Sequence, residues 1–236
     1  MPSVTRKTQA SRAERRDLIK ARLLAAVESL LAEGENFTEL SVERLVSLAG
    51  VSRSTFYVYF EDKGELIRAW LTEIISELDV AAQGWWSLGG ERGGERGGER
   101  GGERGGERGG TVSWDDVRVA LNRVVLVYRP HTTLMAAAFD AAAYDPAVRD
   151  QVDAMMQRNI AGLRKHIRAG QANGSVDAAL PAAQTAAWLT WMAERGLHRL
   201  VRDAPDDELA RLVDAYTSIV WNTLYAGAAN RPAQTL

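Results

Sequence analysis

Hydrophobic residues recur at helical spacing along most of this 236-residue chain. Near the N-terminus, apolar side chains three or four positions apart form one stripe: Ile19, Leu23, Val27 and Leu30. This spacing places side chains on one face of an α-helix. Residues 11–14 have the capping-box pattern, which predicts that the first helix begins at Ser11, and Gly34 is suited to end it. No stretch has convincing strand character. The pattern therefore predicts an all-α protein.

Caps and helix breakers divide the rest of the chain into further predicted helices. Ser41 and Gly50 bound a short helix over 42–49, and Ser52 caps a second one over about 53–60. A longer helix is predicted from Glu65 to near Gly84. Beyond residue 110, Ser113, the prolines and the glycines predict five helices: 114–129, about 131–143, 146 to about 169, 181–202 and about 206–225. Residues 170–180 are predicted to form a loop.

A repeat separates the two helical parts. Residues 89–110 read GG followed by five copies of ERGG, and they hold 12 of the 21 glycines. A helix cannot tolerate this glycine content, and no apolar residue is available for burial, so we predict a flexible loop or linker. An RGG-type segment that binds nucleic acid is the alternative. Against that alternative, every arginine follows a glutamate and aromatic residues are missing.

The two short helices around 49–52 have the layout of a helix-turn-helix. Gly50 permits the positive φ that such a turn often needs. On the second helix, Phe56 and Phe60 are four residues apart and can anchor it to a core. Its other face carries small hydroxyls, an arginine and tyrosines, which suit base edges and phosphates. The alternative is an ordinary helical hairpin with a solvated face.

The net charge of −2 hides an uneven distribution. Residues 1–24 carry seven basic residues against two acidic ones, a net charge of +5. The basic residues are Arg6, Lys7, Arg12, Arg15, Arg16, Lys20 and Arg22. Such an arm suits contact with a polyanion, although a solvated, disordered terminus would have the same composition.

Residues 41–66, SVERLVSLAGVSRSTFYVYFEDKGEL, resemble the signature of the TetR family of bacterial transcriptional repressors. The matching features are A-G-V-S at the turn, T-F-Y-x-Y-F in the second helix, and an acidic residue before K-x-E-L at the next helix. Gly64 is unusual in that position. The resemblance favours a DNA-binding role for the basic arm. By position it implies base contacts from Ser52, Arg53, Ser54 and Thr55, phosphate contacts from Tyr57, Tyr59 and Lys63, and either kind from Arg44.

The resemblance also implies a domain organisation. An N-terminal arm and a three-helix DNA-binding domain would occupy residues 1–62. A helical ligand-binding and dimerisation domain, interrupted by the repeat, would occupy residues 63–236. The last two helices would form a homodimer that binds palindromic double-stranded operator DNA. A ligand would then favour a dimer whose recognition helices are wrongly spaced for successive major grooves.

The C-terminal half resembles a mycobacterial subgroup of the family, the repressors of an ethionamide-activating monooxygenase. The similarity keeps register through His131, Met156, Glu194-Arg195 and Trp221. Independently, polar residues interrupt apolar helix stripes, a mixture typical of ligand pockets. We expect a small apolar effector to contact Leu121, Val124, Tyr128, Val152, Met156, Asn159, Leu163, Thr190, Trp191, Glu194 and Trp221. A filled core is the alternative.

The composition argues against several classes of function. Without cysteine there are no disulfides, thiolate metal sites or cysteine nucleophiles. The chain has no nucleophile–base pair, metal cluster or phosphate loop, so we expect neither an enzyme nor a cofactor. No apolar run approaches the roughly 18 residues of a membrane span, and a cytoplasmic protein is expected. The leading hypothesis is a ligand-responsive repressor. An effector-free DNA-binding protein is the alternative, followed by an enzyme.

Overall fold

The computed structural model describes residues 4–88 and 112–229, and every regular element within these ranges is helical. The all-α prediction is therefore confirmed, whereas the repeat at 89–110 lies outside the described residues. The α-helices are α1 (Val4–Ala32), α2 (Val42–Ala49), α3 (Arg53–Tyr59), α4 (Lys63–Trp86), α5 (Trp114–Tyr128), α6 (Thr132–Ala142), α7 (Pro146–Asn173), α8 (Ala182–Gly196), α9 (Asp206–Leu224) and α10 (Ala226–Ala229).

The predicted caps are confirmed at several helix ends. The Ser41 side chain accepts a hydrogen bond from the backbone N–H of Arg44, and Gly50 ends α2 with a φ of 61°. Gly34, which follows α1, has a φ of 90°. Ser113 caps α5 in a complete capping box. These ends follow the sequence because a cap depends on residues within one turn of it.

Other boundaries were predicted wrongly. Helix α1 begins at Val4 rather than Ser11, because residues 4–10 continue the helix without a breaker. Helix α7 continues through Gly170 to Asn173, into the predicted loop. There the missing side chain of Gly170 leaves room for Val176, which approaches within 2.4 Å of the position a Cβ would take. The α-helical part of α8 ends at Gly196, and a π-helical turn follows over Leu197–Val201.

The described residues form two compact units. The first holds the residues up to Ser76 together with Pro130–Met155, and the second holds the residues of Glu77–Arg129 and those from Met156 onward. In the first unit, α1 packs against α2 and α6, and α2 packs against α3. The predicted α1 stripe is buried there, as are Phe56 and Phe60. The proposed functional boundary between residues 62 and 63 remains a prediction.

The structure explains why residue 64 is a glycine, which is unusual for the family pattern. A Cβ on this residue would lie 2.3 Å from the Asp145 Oδ2 atom. That oxygen accepts a hydrogen bond of 2.7 Å from Arg68, while Asp145 Oδ1 caps α7 by accepting from the backbone N–H groups of Ala147 and Val148. The carboxylate is therefore held on both sides. Glycine permits its close approach to the first turn of α4.

The second unit has a core built from α5, α7, α8 and α9 and the end of α4. The largest group of buried residues there includes Trp85, Val117, Leu121, Leu163, Ile167, Leu189, Val220 and Leu224. A polar network lies beside this core. His166 Nε2 is 2.6 Å from the Tyr225 hydroxyl oxygen, Trp85 Nε1 donates to that same oxygen at 3.3 Å, and His166 Nδ1 is 3.3 Å from the Trp86 carbonyl.

The network suits a neutral His166. The Trp86 carbonyl can only accept, so Nδ1 carries the ring proton, and in the neutral ring Nε2 accepts from the Tyr225 hydroxyl. Protonation of Nε2 would require the Tyr225 hydroxyl to turn its proton away and accept instead. Burial lowers the pKa of His166, opposed in part by the bond to Trp86, and burial raises the pKa of Tyr225 to about 12. Both groups are therefore uncharged at neutral pH.

We expect the free energy of unfolding to fall as the pH is lowered below about 6.5, the ordinary His pKa. The unfolded chain binds a proton at position 166 in this range, whereas the native state resists it. Denaturant unfolding at pH 5.5 and 7.5 measures the effect, with His166→Gln as the comparison. The variant should show a weaker pH dependence than the wild type. If the free energy of unfolding changed equally between the two pH values in both proteins, a role for His166 would be contradicted.

Candidate DNA-binding surface and effector site

Helix α3 is held in place by a cap at its start and by two buried aromatic rings. The Ser52 hydroxyl accepts from the backbone N–H of Thr55 at 3.0 Å and caps the helix. Phe56 and Phe60 are almost completely buried, and their ring centroids are 5.8 Å apart. A capped helix anchored by two aromatic rings holds its opposite face in a defined orientation.

That opposite face is exposed and polar. Ser52, Arg53, Ser54 and Tyr57 are exposed, while Thr55 and Tyr59 are half-buried. The structure adds Val58, which is 60 % exposed and which the sequence reasoning missed. Its position four residues after Ser54 places it on the same face and could have revealed it. Hydroxyls, a guanidinium and an exposed methyl pair suit base edges and the thymine methyl group.

The two arginines of this region are paired with glutamates. Arg53 Nη1 lies 2.5 Å from Glu43 Oε1, and the Arg53 guanidinium carbon is 5.6 Å from the centroid of the Tyr57 ring. Arg44 Nη2 lies 3.1 Å from Glu35 Oε1. Exposed pairs of this kind contribute at most about 1 kcal/mol, so a base or phosphate can displace the glutamates.

Lys63 is held differently. Its Nζ donates to the backbone carbonyls of Phe37, Thr38 and Leu40, at 2.7, 2.6 and 2.8 Å. Burial lowers the pKa of this ammonium group. All three of its donors are engaged, an arrangement that favours a structural role joining residues 37–40 to the start of α4. Phosphate contact by Lys63 remains a prediction that would require these bonds to be exchanged.

Part of the basic arm serves the interior of the first unit. Lys20 is buried and forms an ion pair with Glu73. Arg16 lies 3.8 Å from Glu65, and its guanidinium carbon is 5.5 Å from the centroid of the Phe60 ring. The side chains of Arg6 and Lys7 lie outside the described residues. The charge of the arm therefore overstates the number of cations available to DNA.

The predicted effector residues divide between the two units. Val152 is buried in the first unit, and the other ten belong to the second. Of these ten, Leu121, Tyr128, Met156, Leu163 and Glu194 are buried, whereas Val124, Asn159, Thr190 and Trp221 are half-buried. Trp191 departs from the group because it is 45 % exposed. Contact of these residues with an effector remains a prediction.

Three oxygen atoms on the predicted stripes are buried without a hydrogen-bond partner in the structure: Tyr128 Oη, Asn159 Oδ1 and Glu194 Oε2. Burial raises the pKa of Glu194, and the neighbouring Arg195 opposes this. The pKa of Tyr128 is raised by burial first and by the charge of Glu194 second. Asn159 and Glu194, two of the polar residues on the predicted apolar stripes, thus carry unpaired atoms.

Helix α8 presents an apolar face that the sequence reasoning missed. Trp188 is 78 % exposed, and Trp191 and Met192 follow at the third and fourth positions, on the same side of the helix. Ile219 on α9 is also exposed. The spacing of these three residues was the available signal. Two exposed tryptophans on one helix face indicate a contact surface rather than solvent exposure.

Other kinds of site find no support in the part of the chain that the structure describes. Among residues 4–88 and 112–229, no group of His, Asp and Glu side chains is arranged to hold a metal ion. The helices in the same ranges include none that is both long and apolar enough to cross a membrane.

Comparison with known proteins agrees with the geometry. Residues 23–70 match the model of the bacterial regulatory proteins of the TetR family, and residues 117–226 match the C-terminal domain of the transcriptional regulator EthR. The chain belongs to the TetR family. This TetR-family regulator carries the helix-turn-helix in the first match and the unpaired polar residues in the second. The resemblance of the C-terminal half to the mycobacterial subgroup is confirmed.

Individual relatives span nearly the whole chain. The HTH-type transcriptional regulator EthR of Mycolicibacterium smegmatis is 26 % identical over 218 residues, which cover 89 % of each chain. EthR of Mycobacterium tuberculosis is 26 % identical over 204 residues, 86 % of this chain and 85 % of the relative. The structure of PfmR, a TetR-family regulator of Thermus thermophilus, superposes with a TM-score of 0.64 at 16 % identity, covering 86 % of this chain and 98 % of that one. GusR of Salmonella enterica gives 0.58 at 17 % identity, with 87 % and 95 % covered.

Proposed function

We propose that this TetR-family regulator is a repressor that binds a palindromic operator as a homodimer and is released by a small, largely apolar effector. The observation that carries the proposal is the α3 helix, anchored by Phe56 and Phe60 and polar on its exposed face. A helix presented in this way fits the major groove, where its first residues reach base edges. The role of EthR as a transcriptional regulator supports the same conclusion.

Arg53 is the residue to which we assign base recognition. It lies at the first position of α3, is exposed, and is held near the helix by Glu43 and Tyr57. A guanidinium at this place can form two parallel hydrogen bonds with guanine. Ser54 and Val58 lie on the same face and would contact neighbouring bases. Tyr57 and Tyr59 would bind phosphates through their hydroxyl groups.

Dimerisation supplies the second recognition helix. We assign it to the α8 face of Trp188, Trp191 and Met192, together with Ile219 of α9. A twofold axis would bring the same apolar face from each copy together, as in most homodimers. Two α3 helices would then read the two halves of a palindrome.

The effector would act through a difference in affinity. A ligand releases DNA only if it binds the DNA-incompetent arrangement of the dimer more tightly than the competent one. The polar atoms Tyr128 Oη, Asn159 Oδ1 and Glu194 Oε2 are buried and unpaired in the second unit, which also holds a large apolar core, and ligand sites combine apolar surface with a few polar groups.

The experiment that tests operator reading is the substitution Arg53→Ala. We expect it to reduce the preference for operator over random DNA by about 1–3 kcal/mol, because a bidentate base contact is lost. The operator is first selected from random-sequence DNA with the pure protein. Affinities are then measured for both DNAs at one salt concentration, because salt alone changes them strongly.

Arg211→Ala is the matched control for this experiment. Arg211 is likewise exposed and paired with acidic side chains, Asp207 and Glu208, but lies on α9. It should leave both affinities unchanged. If Arg53→Ala weakened binding to operator and random DNA equally, Arg53 would contact a phosphate instead. If the pure protein selected no DNA sequence at all, the proposed function would be wrong.

A further inference from the structure

Glu43 is an acidic side chain on the surface that the proposed function turns toward DNA. Residues 41–60, which hold the helix-turn-helix, contain one acidic residue, Glu43, and two basic ones, Arg44 and Arg53. The Glu43 side chain is more than half exposed. A carboxylate repels phosphates, so at this place it opposes binding to DNA of any sequence.

Glu43 connects the two helices of the motif through Arg53. It lies in the first turn of α2, whereas Arg53 is the first residue of α3. Glu43 Oε1 is 2.5 Å from Arg53 Nη1, and the centroid of the Tyr57 ring is 5.6 Å from the Arg53 guanidinium carbon. Two contacts, one from each helix, thus restrain a long side chain. Restraint before binding reduces the conformational entropy that is lost when DNA binds.

The hydroxyl groups in the first turn of α3 are close to one another. The Ser52 hydroxyl oxygen lies 2.9 Å from that of Ser54 and 2.7 Å from that of Thr55. Arg53 differs from them because its guanidinium has five N–H donors, more than one carboxylate oxygen can occupy. Two parallel donors can therefore be directed to the O6 and N7 atoms of a guanine while the contact with Glu43 is kept.

A guanine and a phosphate affect this ion pair differently. The guanine edge offers neutral acceptors, which Arg53 can bind without leaving Glu43. A phosphate that bound the same guanidinium would come close to the Glu43 carboxylate, and like charges repel at such a distance. The carboxylate therefore opposes the contact that is independent of sequence more than the contact that recognises a base.

Building on the proposed function, we propose that Glu43 is a specificity-determining residue of operator binding. It orients Arg53 toward a guanine and lowers the affinity for DNA of any other sequence. Glu43 acts through Arg53 and makes no base contact of its own, so it is a positioning residue.

Glu43→Gln tests this role in the full chain. Glutamine keeps the length of the side chain and removes its charge. The ratio of operator affinity to random-DNA affinity should fall about fivefold, the coupling of one exposed ion pair, mainly because the affinity for random DNA rises. The logarithmic salt dependence of random-DNA binding should steepen by about 0.9 for each Arg53 that gains a phosphate. Circular dichroism checks that the variant is folded.

Two comparisons separate positioning from a general effect of charge. Glu208→Gln removes the same charge from α9, where Glu208 pairs with Arg211, and should leave both the ratio and the salt dependence unchanged. In a protein that carries Arg53→Ala, Glu43→Gln should raise the two affinities by equal factors, because no guanidinium remains to be oriented. A changed ratio in that background would show that Glu43 contacts a base itself, which would overturn the proposal.

The outcomes also separate the role of Glu43 from the proposed function. If the protein selects an operator and Glu43→Gln lowers both affinities equally, Glu43 only stabilises the first turn of α2 through the helix dipole. The positioning role is then wrong while the repressor stands. An unchanged ratio of affinities leads to the same conclusion. If the wild type selects no DNA sequence, the proposed function is wrong and the role of Glu43 falls with it.

Discussion

Replacing Trp188 by Arg should convert the proposed dimer into monomers and lower operator affinity by at least about 100-fold, which corresponds to 2.7 kcal/mol. Burial of a large aromatic side chain at an interface contributes several kcal/mol, and a buried unpaired charge opposes association. Twofold symmetry applies the change to both copies. Trp188 is the most exposed large apolar side chain described, so its replacement should leave the single chain folded.

Sedimentation velocity and operator binding measure this result, and circular dichroism checks the fold. Val80→Arg is the matched control, because Val80 is also strongly exposed in the second unit but lies on α4. It should remain dimeric and bind the operator. A dimeric Trp188→Arg protein with normal operator affinity would show that the dimer uses another surface.

Replacing Phe56 by Ala should destabilise the first unit by about 3–5 kcal/mol, because it leaves a cavity where an aromatic ring was packed. Phe56 is completely buried, and its ring contacts those of Tyr57 and Phe60. The destabilisation should be concentrated at α3. Operator affinity should therefore fall strongly, while the total helix content should change little. Denaturant unfolding and operator titration measure the two effects.

Val58→Ala serves as the control on the same helix. Val58 is largely exposed, so the free energy of unfolding should change by no more than about 0.5 kcal/mol. Its effect, if it touches a thymine methyl, should be confined to operators with thymine at the contacted position. Equal destabilisation by the two variants would contradict the orientation of α3 described above.

The local signals in the sequence were sufficient to predict most of the helices and the helix-turn-helix. Ser41, Gly50, Ser52 and Phe56 act within one or two helical turns, and each does in the structure what its pattern predicts. Boundaries failed where a weak local signal competed with helix continuation, as at Ser11, or where packing against Val176 extended α7 through Gly170.

The sequence by itself determined the all-α class, the helix-turn-helix and the family, because caps, stripes and motifs are encoded over short distances. Only the tertiary structure showed that Lys63 binds three carbonyls, that Gly64 makes room for Asp145, and that Trp191 faces outward with Trp188. It alone showed which polar residues of the stripes are left without partners. These properties depend on residues far apart in the chain, and periodicity defines the face of a helix but not the neighbour that covers it.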